Sequence, residues 1–471
     1  MSTTADVIGK TQTTGQSPGR QRANAESRRF WFIPVFLVSL TIPYLFQAGP
    51  LQLSAFRLIL IVMLFPCLYI WITGKAGAVR FADIALFLAC FWTALSFFAV
   101  HGPAVAVEAG GIAFVETMGA YLIGRCFIRN ADQFYGMVKT LFWIIVLMLP
   151  FAIYEALTST NILLDLANKI APSNDIVFKQ PRLGLDRVQG VFSHPILFGI
   201  FCGGAPALVY YVLGYKTSVL SRATKTFLMS LAAFLSLSSG PLTALIAQFL
   251  LISWDRVLSA IKSRWLILSG GLLSMIVAIE IAANRSTPEI FISYFAFDTH
   301  TASNRLRIWQ YGTLSVENYP FFGVGQNEWE RPYYMSASLD MFWLVPAVRN
   351  GLPTALFLHA AFLALFLAVA FKSNVSERVS RYRTGYLICM VGFYLSGWTV
   401  NYWREIYVYF MFLMGSGAWI LTADKGHDHQ KLSNPERMPE APAPDLDQSP
   451  SENGRQRNVY TRFPHHNDEQ S

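Results

Sequence analysis

Residues 51–73 read Leu51-Gln-Leu-Ser-Ala-Phe-Arg57-Leu-Ile-Leu-Ile-Val-Met-Leu-Phe-Pro-Cys67-Leu-Tyr-Ile-Trp-Ile-Thr73, with a single charged side chain in the whole stretch. A bilayer core requires roughly 20 apolar residues in helical form, because an unpaired backbone amide in hydrocarbon costs several kcal/mol. This run has the length and the chemistry of a transmembrane helix, and similar runs recur along the chain. The expected spans are 30–47, 51–73, 81–100, 104–124, 134–157, 190–213, 223–238, 241–254, 265–283, 351–371, 384–401 and 405–422. The pair 223–238 and 241–254 is short and is divided by Ser239-Gly240-Pro241, which reads as a tight hairpin or a re-entrant element. The fold class is therefore all-α: a polytopic integral membrane protein of about 12 transmembrane helices.

Composition supports this reading. Of 471 residues, 53% are hydrophobic and only 14% are charged, with 37 Phe and 12 Trp, an excess of apolar surface that a water-soluble fold of this size cannot hide. The formal charge is +8, yet the basic residues fall in short clusters between apolar runs instead of forming one patch, which argues against nucleic acid as a partner. The partner implied is the lipid bilayer. Cys67, Cys90, Cys126, Cys202 and Cys389 all lie in or beside apolar segments without CxxC spacing, so neither a disulfide nor a metal site is expected.

Charge placement orients the chain, since short cytoplasmic loops are enriched in Lys and Arg. The arm before the first run carries Arg20, Arg22, Arg28 and Arg29. Alternate loops carry Lys75/Arg80, Arg125/Arg129, Lys216/Arg222/Lys225, Arg256/Lys262/Arg264 and Lys372/Arg378/Arg381/Arg383. Both termini are thus expected in the cytoplasm, with two longer segments, 158–189 and 284–350, on the opposite side. The basic flank of the first run resembles that of a signal peptide, but no small-residue cleavage site follows Phe46, and an uncleaved helix is expected. Residues 1–29 and 423–471 are polar and Pro-rich, and are expected as disordered tails flanking a transmembrane domain over 30–422. The tail histidines His427, His429, His465 and His466 are expected to be solvated.

Ionisable groups inside spans are costly and usually face a cavity or a partner. Arg57, Glu108, Glu155 and Glu280 lie near the outward ends of their helices, and Glu116 lies deeper. Together they suggest either an outward-opening polar chamber or structural pairing near the interface. The stretch Arg182-Leu-Gly-Leu-Asp-Arg187-Val-Gln-Gly190-Val-Phe-Ser-His194-Pro195 places two arginines on a loop leading into a helix that begins His-Pro. A guanidinium fork matches phosphate oxygens in shape and charge. His194 reads as a base, a phosphate donor or simply a polar residue at a helix start. In the second outward segment, Asn304-Arg305-Leu-Arg307-Ile-Trp309 opens an amphipathic helix. Asn318-Tyr-Pro320 and Gly323-Val-Gly325 close it as turns, and Gly-x-Gly here reads as a loop because no strand–turn–helix unit surrounds it. Asp340, beside Met341, Phe342 and Trp343, reads as a base or as a helix N-cap.

Arg187-x-x-Gly190-x-Phe-x-His194-Pro195, the Leu-Ser-Leu-Ser-Ser239-Gly240 helix end, Arg305-x-x-Ile308-Trp309 and Pro320-x-x-Gly323-x-Gly325, in this order on a multi-helix scaffold, resemble the O-antigen ligase and O-antigen/exopolysaccharide polymerase superfamily. The resemblance implies a GT-C-like membrane glycosyltransferase, independent of metal and cofactor. Such an enzyme acts on the periplasmic face of the bacterial inner membrane on an undecaprenyl-pyrophosphate-linked glycan. The acceptor would be another glycan or lipid A-core, with other polysaccharide-assembly proteins as candidate partners. On this reading Arg187 and Arg305 hold the pyrophosphate, Arg182 and Arg307 are neighbours able to substitute, Arg57 is a further pyrophosphate- or substrate-binding candidate, and Asp340 and His194 are the candidate catalytic groups. The chain departs from the ligase pattern where an Arg follows the Ser-rich helix end, since Gly240-Pro241 stands there, and where a His precedes the next helix, since Asp340 occupies that region. Those departures favour polymerisation of exopolysaccharide or O-antigen repeat units over ligation to lipid A-core. A polyprenyl-linked glycan flippase is the alternative from another class, although no internal repeat supports it.

Overall fold

The computed structural model describes residues 31–48, 51–282, 289–291 and 299–423. The expected N-terminal tail, residues 424–471 of the expected C-terminal tail with its four histidines, and parts of the segment 284–350 lie outside the described residues.

The first apolar run makes a helix, α1 (Phe32–Ser39), and then leaves helical geometry. Pro43 has no N–H to donate and disfavours the α conformation at Ile42. Strand β1 (Leu45–Ala48) then pairs antiparallel with β2 (Leu51–Ser54), Leu45 opposite Ser54. The expectation of a helix over 30–47 is corrected accordingly, and the second run starts as strand β2 before becoming α2 (Ala55–Ile72).

The long helices α3 (Phe81–His101), α4 (Pro103–Phe127) and α5 (Ala131–Thr158) follow. After them come a short amphipathic α6 (Ile162–Ile170), α7 (Pro195–Leu213), α8 (Val219–Leu235), α9 (Ser239–Val257), α10 (Arg264–Ala282) and α11 (Thr299–Asn318). The chain closes with α12 (Val345–Asn350), α13 (Leu352–Phe371), α14 (Glu377–Gly397) and α15 (Glu405–Thr422). Among the described residues eight helices are long and apolar enough to cross a membrane: α2, α3, α4, α5, α7, α10, α13 and α15. The remaining expected runs correspond to α8, α9 and α14, which are more polar and pack against other helices of the bundle, α8 against α5 and α7, and α9 against α7 and α14.

The Ser239-Gly240-Pro241 segment is the first turn of α9 and not a connector, so α8 and α9 form a hairpin closed by residues 236–238. Proline is tolerated there because the first-turn N–H groups have no intrahelical acceptor. Leu237, at φ 45°, reverses the chain.

Connections at one end of the bundle are short and basic, and they are tied together. Arg125 donates to Ala76 O at 3.0 Å and Ala78 O at 2.7 Å, Arg378 pairs with Asp132 at 2.7 Å, and Arg264 with Asp255 at 2.8 Å. The opposite end is closed by the longer segments. Trp92 Nε1 donates to Phe321 O at 2.8 Å, Ser96 Oγ to Phe322 O at 2.6 Å, and the Gln326 N–H to His101 Nε2 at 2.8 Å. Gly323, at φ 63°, packs where a Cβ would lie 2.5 Å from the Arg349 backbone, so the Gly-x-Gly stretch is the loop expected of it.

Candidate functional site

The first outward loop is held in place by buried polar groups. Glu155, at the end of α5, accepts the Gln189 N–H at 2.8 Å and the Gly190 N–H at 3.0 Å. Gly190 sits at φ 59° where an added Cβ would lie 3.0 Å from the Phe198 ring, a position a larger residue takes only with strain. Asn161 donates to Gly190 O at 2.7 Å while capping α6, Asn174 donates to Val191 O at 2.9 Å, and Gln189 ties the loop to itself through Asp175 O and the Val177 N–H. The backbone continues onto the α8 end, where the Val188 N–H donates to Leu235 O at 3.0 Å.

This anchoring brings two arginines to the 236–239 turn, and a third reaches it from α11. Arg182 Nη1 donates to Leu237 O at 3.0 Å, and Arg187 Nη2 donates to Ser238 Oγ at 2.8 Å. From the other outward segment, Arg305 on α11 donates through Nη2 to Ser239 Oγ at 2.8 Å. Arg305 is only 4% exposed, and its buried Nη1 has no hydrogen-bond partner among the described residues. The cluster stands at the N-terminus of α9, where unpaired N–H groups and the helix dipole add further positive potential. Burial and the nearby Arg182 charge pull Arg187 down to about 10. Burial also pulls Arg305 down to about 10, with Asp340 acting to raise it and Arg182 to lower it. Both remain cations at neutral pH. Three like charges meet here with little counter-charge, the condition for anion binding.

Asp340 faces this group through its charge. It lies on a strap rooted in the core: Trp343, fully buried, donates Nε1 to Tyr394 O at 2.9 Å, and Phe342 stacks on Tyr402 at 4.5 Å between ring centroids. Asp340 itself is half-buried and accepts from Ser338 Oγ at 2.5 Å. Helix α12 begins later, with Leu344 at its N-cap, so the N-cap reading of Asp340 does not hold.

His194 caps α7. Its Nδ1 accepts the Ile196 N–H at 3.1 Å. Burial, then the charges of Lys179 and Arg187, push its pKa down to about 4, so the ring is neutral at pH 7. A neutral imidazole whose Nδ1 accepts carries its proton on Nε2 and offers a donor there.

The structure does not bring Arg307 and Arg57 to the turn. Arg307 lies two residues past Arg305, across the helix, where it is exposed and stacks over the Tyr334 ring at 5.9 Å. Arg57 pairs with Glu116 at 2.7 Å and donates to Gln52 O at 2.5 Å. Arg57, Glu108 and Glu116 line a largely apolar cleft of about 450 Å³, and Glu116 also borders a second cleft of about 290 Å³ with Tyr402 and Tyr407. Arg182, Arg187 and Arg305 line neither.

Sequence reading missed two features. Ser238 and Ser239 stand in the motif but give no sign of being partners to arginines 51 and 66 residues away. Arg404 and Glu405, an ion pair at 3.6 Å whose charges reach Glu116, sit in a stretch with no recognisable signature.

The turn at 236–239, α9, α11 and the Asp340 strap fall within one recognisable segment. Residues 226–358 match the O-antigen ligase family model. The match supports the O-antigen ligase and polymerase superfamily, whose activity is of the membrane glycosyltransferase or ligase type. Comparison with curated proteins gives no match. Arg182, Arg187 and His194 precede the matched O-antigen ligase segment and join it only through the fold.

Proposed function

We propose that the protein transfers a glycan from an undecaprenyl-pyrophosphate carrier to an acceptor hydroxyl on the periplasmic face of the bacterial inner membrane, polymerising exopolysaccharide or O-antigen repeat units. The observation that carries this reading is Arg305: a buried guanidinium with an unpartnered Nη1, joined by Arg182 and Arg187 at a helix N-terminus, inside the matched segment. The arginines hold the pyrophosphate and neutralise charge as it leaves. The acceptor oxygen attacks the anomeric carbon, the bond from that carbon to the pyrophosphate oxygen breaks with its electron pair on the leaving group, and the proton passes to Asp340. His194 donates Nε2–H to a phosphate oxygen and does not act as the base.

The family description favours a second reading, ligation of finished chains to lipid A-core. Incubating detergent-purified protein with lipid-linked repeat units tests the first: a ladder of products is expected. Arg305→Ala should lower turnover by about 100-fold or more, as loss of one transition-state donor does elsewhere. Purified protein that forms no ladder but moves preformed polymer onto lipid A-core would select ligation. Wild-type turnover in both Arg187→Ala and Arg305→Ala would sink the phosphate-binding assignment.

A further inference from the structure

At the basic end of the bundle, far along α8 and α9 from the arginine turn, the π-helical end of α7 (Val209–Leu213) presents two consecutive tyrosines. Two guanidiniums converge on one of them: Arg222 of α8 lies 5.3 Å from the Tyr210 ring centroid and Arg256 of α9 lies 5.1 Å from it. Arg256 is also 5.4 Å from the Tyr211 ring. The nearby carboxylate, Asp255, is already taken by Tyr211 Oη at 2.6 Å, by Arg264 at 2.8 Å and, more distantly, by Arg381. Among the described residues Arg222, Lys225 and Arg256 make no ion pair. Among the described residues Arg222 and Lys225 donate only to the backbone, to Gly214 O at 3.0 Å and Leu213 O at 3.4 Å, and the buried Nε of Arg256 has no hydrogen-bond partner. Gly214 clears the space Arg222 occupies, since a Cβ there would lie 2.6 Å from Arg222 Cγ.

Cation–π stacking holds two guanidiniums at one ring, and neither has a carboxylate partner among the described residues. Three cations, one with an unsatisfied buried donor, form a preorganised receptor for a phosphodiester. We propose that Tyr210, Arg222, Lys225 and Arg256 bind the headgroup phosphate of an anionic phospholipid of the inner leaflet. The headgroup braces the open end of the α8–α9 hairpin, whose closed end carries the arginine turn. The site is separate from the glycosyl-transfer site and stands whether or not that reading does.

Native mass spectrometry of the delipidated full-length protein, titrated with phosphatidylglycerol, with phosphatidylcholine and with inorganic phosphate, tests it. A basic side chain near a headgroup is worth about fivefold in affinity, so Arg222→Gln/Arg256→Gln should bind phosphatidylglycerol about thirtyfold more weakly and Lys225→Gln about fivefold more weakly. Lys262→Gln, a control for general charge at the same end, should bind as wild type. Equal binding of phosphatidylglycerol by wild type and Lys225→Gln would overturn the proposal, as would equal binding of the two lipids by wild type. Displacement of phosphatidylglycerol by millimolar inorganic phosphate would also overturn it, by reassigning the site to the free anion.

Discussion

Arg305 and His194 show how one side chain's surroundings decide its chemistry. Arg305 spends one nitrogen on Ser239 and keeps another buried and unpaired, an arrangement that costs free energy until an anion satisfies it. His194 spends Nδ1 on capping α7, which assigns its proton to Nε2, and its pKa near 4 keeps it neutral through the physiological range. Because that folded value lies below the unfolded value of about 6.5, His194 adds stability above pH 6.5, and the contribution is lost as pH falls toward 4. For activity, His194→Gln keeps a donor and should lower turnover by about 2- to 10-fold, the worth of one hydrogen bond, with the shape of the pH–rate profile between pH 5 and 8 unchanged. A variant whose profile loses its acid limb would identify His194 as the titrating base instead. Arg182, Arg187 and Arg305 were singled out in the sequence as candidate phosphate-binding arginines, and the structure brings these three to one turn. Arg307 and Arg57 were equally basic; helix phase turns Arg307 away from the turn, and Arg57 is held by Glu116 at a separate cleft.

At the scale of elements, the α8–α9 hairpin and the loop of residues 158–194 depend on each other. Glu155 is the hinge of that dependence, because its two oxygens accept two buried N–H groups that precede the His194-Pro195 helix start. Glu155→Ala leaves both donors unsatisfied and should destabilise the protein by about 2–4 kcal/mol. It should also lower activity by releasing Arg187, while Glu155→Gln, which retains an acceptor, should lose less of both. Thermal unfolding in detergent beside the ladder assay checks this; equal stability of the Ala variant and wild type would remove Glu155 from the anchoring role. Apolar length alone made α2 through α5, α7, α10 and α13 readable. The β1–β2 hairpin was not, because Leu45–Ala48 and Leu51–Ser54 are apolar in a pattern that suits helix or strand, and Pro43 with the pairing partner decides. The two π turns of α4, one of which carries Glu116, leave no trace in the hydropathy either.

For the whole molecule, the basic and the arginine-turn ends lie at opposite ends of the helices, and the proposed orientation puts the latter outside. The five cysteines are free and buried, so an introduced thiol reports cleanly. Phe178→Cys, at an 83% exposed position on the first outward loop, should react with a membrane-impermeant maleimide in intact spheroplasts. Val257→Cys, at a 79% exposed position at the basic end, should react only after lysis. The reverse pattern would invert the protein and exclude a periplasmic active face.

Composition and apolar run length by themselves determined that this chain belongs in a bilayer, and the Lys/Arg clusters determined which helix ends are basic, because both are sums over local transfer free energies that need no tertiary contact. Tertiary structure decided which charges meet. Arginines from two outward segments converge on one four-residue turn, Arg57 is withdrawn by Glu116, and Asp340 is posted by buried aromatics, all over sequence separations at which no local pattern specifies a partner. What local chemistry left undivided, a set of basic residues on the longer connecting segments and helix ends, packing has sorted into one arginine cluster at the 236–239 turn and several structural pairs.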